Sequence, residues 1–205
     1  MASKIGILRA VAAAVGETPP TDENQATDFL RTMLPIWDSV VDDFTTRHAW
    51  IWGTQTRTIT ATSDTPPPPW TYSFALPVDR TLIRDVLGYA GVPVNYDIEN
   101  QRVLCDDPGP LYLKINVAAT PGYWPGDFAA CVQDTLEGHA WKGLRDEFNK
   151  GQELINKVDP EGGTGGKLSR AISRDKRQKP PKKLFRGTVL QAFRNTLSPR
   201  GSRDG

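Results

Sequence analysis

The apolar residues of this chain change their spacing twice, and that change limits the folds open to it. Up to about residue 49 they recur every three or four positions, as in helices that bury one side. From residue 50 to about 117 they alternate with polar residues and are often β-branched or aromatic, as in strands. From about residue 125 the helical spacing returns. The order predicts an α+β fold, a helical bundle with an inserted small antiparallel β-sheet.

Each predicted helix has apolar residues repeating along one side: 3–15, 24–49 and 125–157. Pro35 interrupts the second pattern, so either the helix kinks there or one helix ends near Leu34 and another begins with Pro35 in its first turn. Gly138 and Gly143 should weaken the third helix by about 1 kcal/mol each relative to Ala. That cost disappears where close packing uses the missing side chains.

The sheet insertion is predicted over about 50–120. Its strand candidates are 50–62, 70–76, 82–87, 94–98, 101–105 and 111–117. The run Pro66–Pro69 cannot lie inside a sheet and should form a rigid exposed connection. Turn signals between the later segments favour hairpin connections and one antiparallel sheet.

The net charge of +1 hides an uneven distribution. Residues 1–162 hold 13 Lys and Arg against 22 Asp and Glu, whereas residues 163–205 hold 12 against 2. The chain therefore has an acidic body and a basic tail. We predict a body over 1–157, followed by a Gly-rich hinge and a basic docking arm over 158–205.

Two short amphipathic helices are predicted inside this arm, over 167–175 and 187–197. The arm has too little apolar surface to fold alone, so it should order against a partner. Basic and apolar residues alternate along it, and those that we single out for docking are Lys182, Lys183, Leu184, Phe185, Arg186, Val189, Leu190, Phe193 and Arg194. Three roles stay open for the arm: docking on a protein, salt-sensitive binding of nucleic acid, or a passive solubilising tail.

The six tryptophans divide into two groups. Trp37, Trp50 and Trp52 surround the junction between helix and strand and should build the core. Trp70 and Trp124 lie in proline-containing loops, where they are either lids of the core or anchors of an interface.

Residues able to carry catalysis are few. Cys131 and His139 lie eight residues apart, about 12 Å along a helix, which is too far for a thiolate–imidazole nucleophile. The pairs Asp42–Asp43 and Asp106–Asp107 are explained by a solvated helix surface and a turn. The sequence GGTGGK lacks the Ser or Thr that a phosphate-binding loop requires after its lysine. We therefore predict no catalytic residue, no cofactor site and no metal site.

The cellular setting is also limited by sequence. Cys105 and Cys131 do not form a disulfide framework and fit two half-buried thiols in a reducing compartment. No signal peptide and no membrane-spanning run of apolar residues is evident. We expect the protein to be made in the cytoplasm and kept there or assembled there into something larger.

Five motifs in a fixed order suggest a family. They are LPIWDSVVDDFTTRHAWIWGTQTR, PPPWTYSFALPVDRTLIRDVLG, VNYDIENQRVLCDD, LYLKINV and YWPGDFAACVQDTLEGHAWKGL. Over residues 3–157 the chain resembles the tail tubular protein A family, the head-to-tail adaptors of short-tailed bacteriophages and their relatives. The segment after Gly162 matches no motif of that family.

The resemblance implies a virion structural protein that forms a ring, usually of twelve copies, between the portal protein and the tail nozzle or tail tube protein. Genomic DNA passes through the centre of such a ring. The family has no catalytic residues, so none are transferred. An acidic body fits a DNA conduit because it repels phosphates. The alternatives are a nucleic-acid-binding module that uses the basic arm and a small enzyme with an unrecognised site.

Overall fold

The computed structural model describes residues 2–161 and 165–178. Five α-helices occur in that part of the chain: α1 Lys4–Ala14, α2 Asp28–Thr46, α3 Gly126–Leu144, α4 Phe148–Val158 and α5 Lys167–Gln178. Six strands lie between α2 and α3: β1 Thr54–Ile59, β2 Tyr72–Ala75, β3 Arg80–Leu87, β4 Tyr96–Glu99, β5 Arg102–Cys105 and β6 Leu111–Val117. The predicted α+β fold, with a strand insertion inside a helical bundle, is confirmed. None of the helices in the described ranges is both long and apolar enough to cross a membrane.

Helix α3 is the centre of the helical layer, because α1, α2, α4 and α5 all contact it. Their buried sides form one apolar cluster, in which Leu8, Met33, Phe128, Val132 and Leu136 are fully buried. Burying a side chain of this size contributes about 1.5–3 kcal/mol. The cluster therefore stabilises the packing of all five helices.

Helix α2 contains Pro35 and is a single element, so the two-helix alternative is not what the structure has. Its start is capped by Thr27, whose hydroxyl accepts a hydrogen bond from Leu30 N at 3.2 Å. Pro35 is exposed, on the side of the helix away from the core. The proline ring is thus turned toward solvent.

The single helix predicted over 125–157 is wrong in one respect: the segment forms two helices, α3 and α4. The chain turns at Asp146, whose φ of 54° is left-handed and cannot continue a right-handed helix. Gly138 and Gly151 then let the two helices approach closely, because a Cβ on Gly151 would lie 2.4 Å from the carbonyl oxygen of Gly138. Arg145, at the turn, donates to the Val15 carbonyl oxygen and so caps the end of α1.

The predicted single sheet is also corrected, since the strands form two three-stranded antiparallel sheets, with orders β1-β6-β3 and β2-β5-β4. Residues of both sheets share a second apolar cluster, which includes Phe74, Val103, Leu113 and Ile115. The proline run Pro66–Pro69 lies in the connection between β1 and β2, as predicted. Asn116 of β6 joins this unit to the helices by donating to the Trp50 carbonyl oxygen at 2.6 Å.

Helix α5 falls inside the segment predicted as hinge and arm, and its predicted range of 167–175 is close to the observed one. It packs against the body through buried Leu168 and Ala171, which belong to the cluster of the helical layer. The partner that orders this first part of the arm is therefore the body of the same chain. The helix predicted over 187–197 lies outside the described residues.

Candidate interaction surfaces

The structure places Trp124 in the core. Of the two roles predicted for it, lid of the core or anchor of an interface, the first is the one observed. Its ring stacks on Trp37 with centroids 5.7 Å apart, and its side chain is 7% exposed. The indole N–H donates to the Ala119 carbonyl oxygen at 2.8 Å. Trp124 consequently offers almost no surface to a partner, whereas Trp70 is half-buried and stays a candidate interface residue.

The docking residues predicted between Lys182 and Arg194 lie outside the described residues. Their chain enters from α5, whose position is fixed by a buried carboxylate. Asp175 is 4% exposed, contacts His48 Nε2 at 3.0 Å and accepts from the Ile51 backbone N–H at 3.1 Å. The start of the arm is thus held at the junction between α2 and β1.

An exposed apolar surface at one end of the two sheets was not predicted from sequence. It consists of Val78, Leu82 and Ile98, and we call it the apolar tip; their exposures are 98%, 37% and 45%. All three line one open depression of about 430 Å³, whose lining also includes the polar residues Arg80, Thr81 and Gln101. The only sequence signal is a valine in the turn between Pro77 and Asp79, where polar residues are usual.

A second exposed apolar pair lies beyond the opposite end of β3. Tyr89 is 76% exposed and Val92 is 60% exposed, in the loop between β3 and β4. Leu82 of the apolar tip lies five residues before the last residue of β3, so the two surfaces are separated by about 17 Å or more at roughly 3.3 Å per residue. The sheets thus carry two different apolar surfaces at their two ends.

The outer side of α2 is acidic. Asp38 and Asp42 are exposed, four residues apart and therefore neighbours on the side opposite the buried Trp37 and Val40. We call this pair the acidic face. Like charges at this spacing destabilise a helix by about 0.2–0.5 kcal/mol. Lys4 approaches Asp38 only to 4.0 Å, and among the described residues no salt bridge involves Asp42.

The outer side of α5 is basic. Arg170 and Arg177 are exposed and lie two turns apart, opposite the buried side of the helix. We call this pair the basic face. Lys167 and Arg174, on the flank of the same helix, pair with Asp134 and Asp127 of α3. Arg170 also borders the groove between α5 and α3 that Lys167 and Arg174 line, but within the described ranges neither Arg170 nor Arg177 forms an ion pair.

Burial favours the uncharged form of four titratable side chains in the interior. Burial raises the pKa of the Cys131 thiol to about 12 and also raises the pKa of Cys105. It lowers the pKa of both His48 and His139 from their ordinary value. These pKa shifts leave both thiols protonated at neutral pH. Within residues 2–161 and 165–178, no three His, Cys, Asp or Glu side chains come together as a metal site.

No protein-family model matches this chain, and no curated protein is significantly similar to it. The likeness to the tail tubular protein A family therefore depends on the five motifs quoted above.

Proposed function

We propose that this chain is a virion structural protein, a head-to-tail adaptor that forms a ring between the portal and the tail. The observation that carries the proposal is the presence of several distinct exposed surfaces on one small body: the apolar tip, the loop with Tyr89 and Val92, and two oppositely charged helix faces. Exposed apolar groups in contiguous patches usually mark contacts with other proteins. A ring of identical subunits needs two different complementary surfaces on each copy, and an adaptor needs further surfaces for its neighbours above and below.

The three proposed contacts fall on different parts of the molecule. The helical layer supplies the contacts between copies, and the apolar tip of the sheets contacts the tail nozzle or tail tube protein. The arm after Gln178 docks on the portal. The body is acidic overall, which lets DNA pass through the ring without adhering.

Truncation of the chain tests the docking role of the arm. Because α5 is packed into the body, the informative variant ends after Gln178 and keeps that helix. We expect the truncated protein to keep its thermal stability and to lose attachment to the portal protein of the same virus in a sedimentation assay. A second variant that ends after Glu161 serves as the control, because it also removes α5 and should lower stability. Normal portal attachment by the chain that ends after Gln178 would contradict the docking role.

A nucleic-acid-binding module is the second candidate function, favoured by the basic face and by the Lys and Arg residues that follow it. A salt titration of binding to duplex DNA separates the two. Phosphate contacts predict a logarithmic slope that steepens by about 0.9 for each contact, whereas an adaptor of the proposed kind has weak DNA binding throughout.

A further inference from the structure

The two charged faces of the helical layer carry charges of opposite sign and lie on different helices. The acidic face belongs to α2 and the basic face to α5, and both helices contact α3 in the same body. Each face is turned away from its own core, since Trp37 and Val40 are buried on the inner side of α2, and Leu168 and Ala171 on that of α5.

Among the described residues, no salt bridge joins the two faces within one molecule. Each helix uses its inner side to pack on the body, which leaves both outer sides turned outward. The cations of α5 that do find carboxylates within the chain are Lys167 and Arg174, on the flank of the helix beside α3. Arg170 and Arg177 are therefore exposed and have no ion pair within the described ranges, as is also true of Asp42 on α2. Asp38 beside it has only Lys4, at 4.0 Å.

We propose that the basic face of α5 in one copy docks on the acidic face of α2 in the next copy. The contact is head-to-tail: each copy gives one face to the neighbour on one side and the other face to the neighbour on the other side. This inference rests on the proposed ring and names the contact that closes it. Charge complementarity favours a second copy of this chain as the partner, because each copy carries both the acidic face and the basic face. It also relieves the repulsion between Asp38 and Asp42.

Charge reversal with exchange tests this contact on the full chain, alone and with the portal protein of the same virus. One variant reverses the basic face (Arg170→Glu with Arg177→Glu), and another reverses the acidic face (Asp38→Lys with Asp42→Lys). Because like charges then meet, each should raise the protein concentration needed for half assembly by at least about tenfold in sedimentation velocity. Lys150→Glu with Lys157→Glu, on α4, is the control with the same charge change as the reversed basic face. It breaks the pairs with Glu147 and Glu153 and the contact of Lys150 with Trp141, so its urea midpoint is measured first, and the folded variant should assemble like the native protein.

A second experiment restores the charge complementarity between the two faces, and so distinguishes a variant that has lost the contact from one that has lost its fold. An equal mixture of the two reversed variants should assemble, in rings with an even number of copies, because each face again meets its opposite. A single chain that carries all four substitutions should assemble as well. Native assembly should also weaken as salt is raised, since exposed ion pairs are screened.

The outcomes distinguish this inference from the function on which it rests. Normal assembly of both reversed variants, or failure of the mixture to assemble when both fold, overturns the contact and leaves the ring in place. The variant with a reversed basic face could also assemble normally but lose binding to duplex DNA. That result overturns the proposed contact and assigns the basic face to nucleic acid. A native chain that stays monomeric with and without portal removes the ring itself.

Discussion

Because α3 and α4 approach each other closely, we expect replacing Gly151 by alanine to lower stability, the opposite of what helix propensity predicts. Gly151→Ala should gain about 1 kcal/mol from propensity alone, because alanine is the better helix former. However, the new Cβ would lie 2.4 Å from the Gly138 carbonyl oxygen and 2.4 Å from Lys142 Cγ, where about 3.4 Å is needed. The backbone oxygen cannot rotate away, so α4 must move by about 1 Å. Overpacking of this kind costs about 1–3 kcal/mol or more.

Gly143→Ala is the matched control, because Gly143 lies in the same helix as Gly138 and a Cβ there meets nothing within 4 Å. It should stabilise the protein by about 0.5–1 kcal/mol. Because two contacts of the new Cβ are about 1 Å too short, the clash should cost about 2–3 kcal/mol. Less the gain of about 1 kcal/mol from propensity, Gly151→Ala should be destabilising by about 1–2 kcal/mol, so the two variants differ by roughly 2 kcal/mol. With a urea slope of about 2 kcal/mol per M, that difference separates their midpoints by about 1 M. Equal midpoint shifts in the same direction would refute the close approach of the two helices.

Three further predictions concern buried polar groups and the apolar tip. Asp175→Ala leaves the Ile51 N–H and His48 without their buried acceptor and should lower the free energy of unfolding in urea by about 2–3 kcal/mol. Glu153→Ala breaks only an exposed pair and should leave the urea midpoint nearly unchanged; equal midpoint shifts would contradict the anchoring of α5. Because burial lowers the pKa of His48 and His139, the unfolded chain binds more protons than the folded one below about pH 6.5. The free energy of unfolding should therefore fall as the pH drops below 6.5, and His139→Gln should make that fall smaller. A free energy of unfolding that rises on acidification below pH 6.5 would contradict the lowered pKa of these histidines. Val78→Ser should leave the urea midpoint unchanged, since Val78 is 98% exposed, and should weaken binding to the tail protein in a pull-down; unchanged binding would exclude the apolar tip from that contact.

Much of the local structure could be predicted from residue spacing. Strand β6 was predicted over 111–117 and observed as Leu111–Val117, because its alternating apolar residues face a buried cluster. The start of α1 was predicted one residue before Lys4, where Ser3 accepts from the Gly6 N–H as an N-cap. Such features depend on neighbours along the chain, and they are visible in sequence for that reason.

The errors are of two kinds: a local turn without a sequence signal, and contacts between distant parts of the chain. Nothing local marks Asp146 as a left-handed residue, and the apolar spacing continues through it into α4. Two sheets could not be told from one, because β6 pairs with β1 and β3, and the pairing of Thr54 with Asn116 joins residues far apart in sequence. The same applies to Asp175, which meets His48 across 127 positions.

The candidate surfaces were predictable only in part. The basic character of α5 follows from its Lys and Arg residues, but its attachment to the body does not, since Leu168 and Ala171 are few apolar residues for a helix of this length. Trp124 could have been a lid of the core or an anchor of an interface, and the stacking on Trp37 decides for the core. The apolar tip depends on β3 and the β4–β5 turn meeting, which no local pattern indicates.

The mass of the assembled protein tests the proposed adaptor role most directly. The full chain is mixed with the portal protein of the same virus, and the complex is measured by native mass spectrometry. We expect one dominant complex in which a fixed number of copies of this chain, twelve in the family that it resembles, accompanies each portal ring. A chain that stays monomeric and unattached to the portal at every concentration tested would contradict it.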